Sequence, residues 1–128
     1  SSSFLINPGL QKVPYDPVGG FEPITIISAS PSILAVHPGQ PITSVKDLIE
    51  LVKKEPGKHA FGSAGNGTAS HLANELFKLS ARADTIHVPY KSAGLATTGL
   101  LSGEIQYMVT NMATALPQVR SGRLTGVA

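Results

Sequence analysis

The chain has no cysteine among its 128 residues. That removes disulfide staples and thiolate metal sites, and it leaves the compartment open because oxidising and reducing media both accept such a chain. Charge is also scarce, with 14% of residues Asp, Glu, Lys or Arg and a formal net charge of only +2. The ten basic residues are scattered from Lys12 to Arg123 rather than clustered, so nucleic acid is not an expected partner. Apolar runs stay a few residues long, too short for a membrane span or the apolar stretch of a secretory signal. No paired-carboxylate motif stands out, and His37, His59, His71 and His87 are too widely spaced to suggest a metal. Neither a metal nor a cofactor is expected. What remains is a chain that is 41% hydrophobic, a composition that suits one globular domain over 1–128. At that length roughly two-thirds of the unfolded surface can be buried, so a core is available.

Breakers divide the chain. Pro8, Gly9, Pro14, Pro17, Gly19, Gly20 and Pro23 crowd residues 1–23, which predicts an extended arm with at most a short helical turn. An α/β core is expected over 24–128. Ile24–Ser28 and Ile33–His37 are β-branched and apolar, and read as two strands or as one broken at Pro31. Thr43 or Ser44 offers a cap for a helix whose stripe is Val45, Leu48, Ile49 and Val52. From His59 onward strand and helix alternate: strands near 59–62, 85–89 and 105–110, helices near 68–82, 92–101 and 113–121, and a last strand over 124–128. Pro117 is expected to sit in the first turn of the third of these helices or to kink it. Such β–α succession predicts a mainly parallel sheet flanked by helices. Ligands then bind beyond the carboxyl ends of the strands, where loops 63–68, 90–94 and 110–113 converge.

The first of those loops is the most informative stretch. Phe61-Gly62-Ser63-Ala64-Gly65-Asn66-Gly67-Thr68-Ala69-Ser70-His71 passes from a strand through a glycine-rich turn into a helix. Glycine lets backbone N–H groups approach a ligand and accepts positive φ. The helix start adds unpaired N–H donors and a positive dipole end. Ser63, Ala64, Gly65, Asn66, Gly67, Thr68 and Ser70 are therefore read as a cradle for a carboxylate or phosphate that needs no cationic side chain. Three sharper motifs miss. Thr68 stands where a phosphate-binding P-loop has lysine, Ser70 where a dinucleotide fingerprint has its last glycine, and Phe61 where a nucleophile elbow has its first. The alternative is a tight turn that binds nothing.

Other residues carry two readings each. His71, in the first helical turn, is expected to be a neutral imidazole that contacts a ligand or only packs. His87 alternates with Ile86 and Val88 and reads as core support. Tyr90 reaches the ligand or pins its loop. Thr110 and Asn111 end a strand and donate to a ligand or cap the next segment. Ser63, Asp84 and His87 occur in hydrolase order, but Asp84 and His87 sit too close along one strand for an easy relay. A small α/β serine hydrolase using Ser63 is the alternative to a binding protein, and an α/β partner-docking domain without a ligand is a third reading.

Tyr15-Asp16-Pro17, Phe21-Glu22-Pro23-Ile24, the Gly62–Gly67 loop with Ser70-His71-Leu72, His87-Val88-Pro89-Tyr90-Lys91, Gly103-Glu104-Ile105, Leu116-Pro117 and Ser121-Gly122-Arg123-Leu124 follow one another in order. Together they resemble the substrate-binding receptors of tripartite tricarboxylate transporters, the Bug-type family. Ser92 departs from that pattern where glycine is usual, and Gly19-Gly20 replaces a more charged pair. The resemblance implies a periplasmic solute-binding protein of two lobes in the type II periplasmic-binding-protein fold, of which this chain matches the second. It implies a small carboxylate ligand held by Ser63 to Ser70, chiefly through backbone N–H groups, with Thr110 and Asn111 as further contacts. The missing first lobe and membrane transporter subunits are the implied partners, and no catalysis is implied.

Overall fold

Five short strands carry the fold: β1 (Ser32–Val36), β2 (Ala60–Ser63), β3 (Ile86–Pro89), β4 (Tyr107–Asn111) and β5 (Thr125–Gly126). The computed structural model describes residues 2–128. Between and before the strands run helices α1 (Ser2–Leu10), α2 (Val45–Lys54), α3 (Ala69–Ala81), α4 (Ala93–Leu101) and α5 (Met112–Arg120). All strands join one sheet in the order β3-β2-β4-β1-β5. β2 is parallel to β3 and to β4, while β1 is antiparallel to β4 and to β5. β2, β3, β4 and β5 thus run one way and β1 runs against them, so the sheet is mixed rather than uniformly parallel. The alternation of strand and helix that signals parallel pairing begins only at β2, after β1 has been laid down.

Alternating side chains of the central strands feed two cores. Leu34, Val36, Phe61 and Tyr107 face α2 and α3, where Leu48, Val52 and Ala81 complete one cluster. Ala35 and Met108 face the other way and pack with Ala96, Leu100, Ile105 and Leu124. Leu48, Val52, Leu100 and Met108 are fully buried, and burial of each such side chain contributes about 1.5–3 kcal/mol. Helices on both faces give the expected α/β sandwich.

Helix starts are set by side-chain caps. Of the two candidates before α2, Ser44 is the cap: its Oγ accepts from Asp47 N–H while Asp47 accepts from Ser44 N–H. Thr68, Ser92 and Asn111 cap α3, α4 and α5 in turn.

The amino-terminal arm differs from expectation. Ser1 lies outside the described residues, but Ser2–Leu10 is a nine-residue helix that contains Pro8. Phe4 stacks on Tyr15 at 4.5 Å and meets Phe21 edge-on at 4.9 Å, and the Tyr15 hydroxyl donates to the Phe4 carbonyl. This aromatic cluster holds a helix that breaker counting argues against. Ile24–Ser28 is not a strand: residues 21–31 are without regular structure, with Ile24 96% and Ile27 94% exposed. A β-branched run becomes a strand only when another strand pairs with it, and none among the described residues does. Pro117 lies deeper than the first turn, inside Met112–Arg120.

Candidate functional site

β2 and β4 are neighbours whose outgoing chains part. The chain leaving β2 passes through α3 to β3 on one flank, and the chain leaving β4 passes through α5 to β5 on the other. Such a divergence opens a crevice at the carboxyl ends of the two strands, the preferred ligand position in open α/β sheets. The strands are in register at Phe61↔Tyr107. Just beyond, the fully buried Asn74 of α3 stands between them. Its amide donates to the Ser70 carbonyl at 2.7 Å and the Gly62 carbonyl at 3.2 Å, and its oxygen accepts from Val109 N–H at 2.9 Å. One side chain therefore replaces the missing ladder bonds between β2 and β4. Sequence reading missed it; a lone Asn at the inward helical position between Ala73 and Phe77 was the only available signal.

The loop after β2 is a dense hydrogen-bonded turn. Gly65 and Gly67 take φ of 124° and 73°, values that only glycine adopts cheaply. Ala64 N–H donates to Ser70 Oγ at 3.0 Å, Gly65 N–H to Ser63 Oγ at 3.1 Å, and Gly67 N–H to His71 Nδ1 at 3.2 Å. Thr68 Oγ1 accepts from His71 N–H and donates to the Gly65 carbonyl. Several N–H groups expected to hold an anion are thus already used inside the loop. The amides of Ala69 and Ser70, in the first turn of α3, have no intrahelical acceptor and remain the natural anion donors.

A cavity of about 270 Å³ opens over that turn. Its walls bring together Ala64, Thr68 and Ser70 from the loop, Thr110 and Asn111 from the end of β4, and Ser32 from the start of β1. Ser2, Ser3, Ala69 and Ala93 complete the lining, which contains no charged side chain among the described residues. The starts of α3, α4 and α5 all fall on this edge, so three positive dipole ends face one space. Asn111 lines the cavity while its Oδ1 accepts from Thr114 N–H to cap α5.

Six expected contacts lie elsewhere, His71 among them. Ser63 is 0% exposed beneath the loop. Gly65, Asn66 and Gly67 shape the turn without lining the cavity. Tyr90 packs into the core, where its ring contacts Gly62 and its hydroxyl lies against Gly99. Burial pushes that phenol up to about 12, with the Glu104 carboxylate adding to the effect. Tyr90 pins its loop rather than reaching the cavity. Ser63 follows Phe61 on the α3 face of β2, whereas Tyr90, just past β3, packs on the opposite face with Ala60 and Val88, an arrangement that the sequence does not reveal.

The structure also corrects the spacing of the histidines. Parallel register pairs Phe61 with His87, and α3 brings His71 over the same spot. The two imidazoles stack at 4.2 Å and 9°, with Phe61 stacked on the far side of His87 at 4.8 Å. With Glu75 they place three donor atoms within 4.8 Å of one another. The bonding pattern does not suit a cation, however. Gly67 N–H needs a lone pair on His71 Nδ1, so a neutral His71 carries its proton on Nε2, the nitrogen that faces Glu75 at 3.9 Å. Ser63 Oγ lies 2.7 Å from His87 Nε2, the contact a serine nucleophile makes with its base. Asp84 does not complete a relay, since it is exposed before β3 starts, near Gly57 and at the opposite edge of the sheet.

A family model described as the tripartite tricarboxylate transporter family receptor matches residues 1–128. The chain belongs to that receptor family. Among curated relatives, Protein BugT of Bordetella pertussis is 33% identical over 131 residues, covering 100% of this chain and 40% of its own. The solved structure of the periplasmic binding protein BugD superposes with a TM-score of 0.89 at 30% identity, covering 99% of this chain and 43% of that one. R. palustris Rpa4515, solved with adipate, gives 0.82 at 31% identity over 89% of this chain and 38% of its own. The chain thus spans about two-fifths of the length of these relatives. Its mixed α/β sheet is that of a type II periplasmic-binding-protein lobe.

Proposed function

We propose that the chain is the second lobe of a periplasmic solute receptor and takes one carboxylate end of a small organic acid or amino acid in the cavity between α3, α4 and α5. The observation that carries this reading is the lining: hydroxyls of Ser70, Thr68 and Thr110 beside the first-turn amides of α3, with no charged side chain. A carboxylate there is met by hydrogen bonds and helix dipoles rather than by an ion pair. The adipate named with Rpa4515 supports a dicarboxylate of that size as the first probe. On this reading a first lobe closes over the cavity, and membrane subunits of the transporter receive the solute.

Adipate titrated into isotopically labelled chain, followed by amide chemical shifts, tests it. Shifts concentrated at Ala69, Ser70 and Thr110 are expected. Binding is expected to be no tighter than millimolar, about 4 kcal/mol, because polar contacts left open to water contribute little. Shifts elsewhere, or none up to tens of millimolar, overturn the assignment. The Ser63–His87 contact favours the hydrolase reading, but complete burial of Ser63 denies a substrate access. A serine-directed phosphonate is therefore expected to leave Ser63 unmodified, and labelling there reverses the assignment.

A further inference from the structure

The stacked histidines lie behind the cavity wall, not in it, and each is bonded to a different part of the loop. We propose that His71 and His87 are positioning residues that hold the Ser63–Thr68 turn in its ligand-accepting shape only while both rings are neutral, so that mild acid loosens the turn and weakens carboxylate binding. The effect on binding rests on the function proposed above; the effect on the turn does not.

Both ring contacts reverse on protonation. His71 Nδ1 accepts the Gly67 N–H at 3.2 Å; a proton on Nδ1 sets two donors against each other and the bond is lost. Gly67 sits at φ 73°, so the bond that fixes its amide also fixes a left-handed turn. At the other ring, Ser63 Oγ lies 2.7 Å from His87 Nε2, 3.2 Å from the Gly65 carbonyl and 3.1 Å from Gly65 N–H. A serine hydroxyl has one proton to give. With His87 neutral and its proton on Nδ1, the serine proton goes to the closer nitrogen; with His87 protonated, Nε2–H becomes the donor and the serine proton turns to the Gly65 carbonyl. The hydrogen bonds at both ends of the turn are thus rewritten by protons on two rings 4.2 Å apart. Two cations at that separation repel, so the rings titrate as a coupled pair.

The surroundings favour a neutral His87. On α3, Glu75, which lies 3.9 Å from His71 Nε2, favours a proton on His87, while Lys78 opposes one. β2 contributes the Phe61 ring and the Ser63 hydroxyl, neither of them charged. From β4, Tyr107 lies against Phe61 as a neutral phenol pushed up to about 12 chiefly by burial. α1 brings no ionisable side chain. Burial, followed by His71 and Lys78, holds His87 below its ordinary value against the pull of Glu75.

Imidazole nitrogen and backbone amide shifts of the chain, recorded without ligand from about pH 7.5 to about pH 5, read the turn directly. The Gly65 and Gly67 amides are expected to move with the same inflection as the two rings. Rings that titrate without moving those amides, or rings that stay neutral throughout, overturn the proposal. Adipate affinity over the same range gives the second readout. A fall of up to about tenfold toward acid is expected, the factor one unit of pKa coupling supplies. The double variant His71→Asn with His87→Gln places uncharged acceptors near the positions of Nδ1 and Nε2. Whatever its affinity at neutral pH, its pH profile is expected to retain only the titration of adipate itself, and a profile as steep as that of the parent chain overturns the proposal. Failure of adipate to bind at any pH counts against the carboxylate site, while the amide titration still decides the fate of the pair.

Discussion

Gly67 carries two demands at once. Its φ of 73° is strained for any other residue but Asn or Asp, and a Cβ there would lie 2.6 Å from Asn7 Oδ1 of α1. Gly67→Val is therefore expected to destabilise the fold by about 1–3 kcal/mol and to abolish adipate binding. Ser70→Ala removes one hydroxyl and is expected to cost binding only about 1 kcal/mol. Calorimetry on the two folded variants compares them, and equal losses count against a cradle made of main chain. Asn74→Ala is the severe case. It leaves Val109 N–H and the Gly62 carbonyl buried without their partner, and urea unfolding is expected to register a loss of about 2–4 kcal/mol. For His87 the direction follows from its depressed folded-state pKa. The unfolded chain binds the proton more readily, so this contribution is complete above about pH 6.5 and is lost as pH falls below it. His87→Gln is expected to flatten the acid-side decline in melting temperature. Much of this detail was not in the sequence. Gly65, Gly67, Thr68 and Ser70 announced themselves through glycine spacing between a strand and a helix. The His71–His87 stack did not, because it depends on the register of β2 with β3, which no local pattern encodes.

Elements were more legible than contacts. α2 could be placed from Thr43-Ser44 and the Leu48/Val52 stripe, and α3 from the helical spacing of Leu72, Leu76 and Leu79. Helix caps are local chemistry and survive transfer from sequence to structure. Ser44→Ala breaks a reciprocal box in which Thr43 also hydrogen-bonds to Asp47 and holds its carboxyl below the usual range. A loss of about 1 kcal/mol in thermal unfolding is expected. α1 was missed for the converse reason. Pro8 counts as a breaker locally, yet the helix stands because Phe4 finds Tyr15 and Phe21 across eleven and seventeen positions of chain. The direction of β1 was missed likewise, being fixed by its partner β4.

At the scale of the molecule, apolar surface is left uncovered in two places. Phe21, Ile24, Ile26 and Ile27 in the irregular segment 21–31, and Leu72, Leu76 and Leu79 on α3, are all more than half exposed. Patches of this kind drive association in water. Replacing Ile24, Ile26 and Ile27 together with serine touches no core residue and is expected to leave unfolding free energy within about 0.5 kcal/mol. Sedimentation is expected to show less self-association in that variant; unchanged sedimentation places the sticky surface on α3 instead.

The composition of the cavity wall bears on how such a chain diversifies. In the proposed site, grip on an acid group would come from main-chain amides at a helix start and from short hydroxyls, not from an arginine or lysine whose loss would end recognition. Ala64, Ala93 and Ser32, which border the same space, are free to change in size and polarity without disturbing those donors. One head group can therefore be kept while the rest of the molecule it belongs to is exchanged for another. Substitutions at these three positions are the shortest route to a different solute.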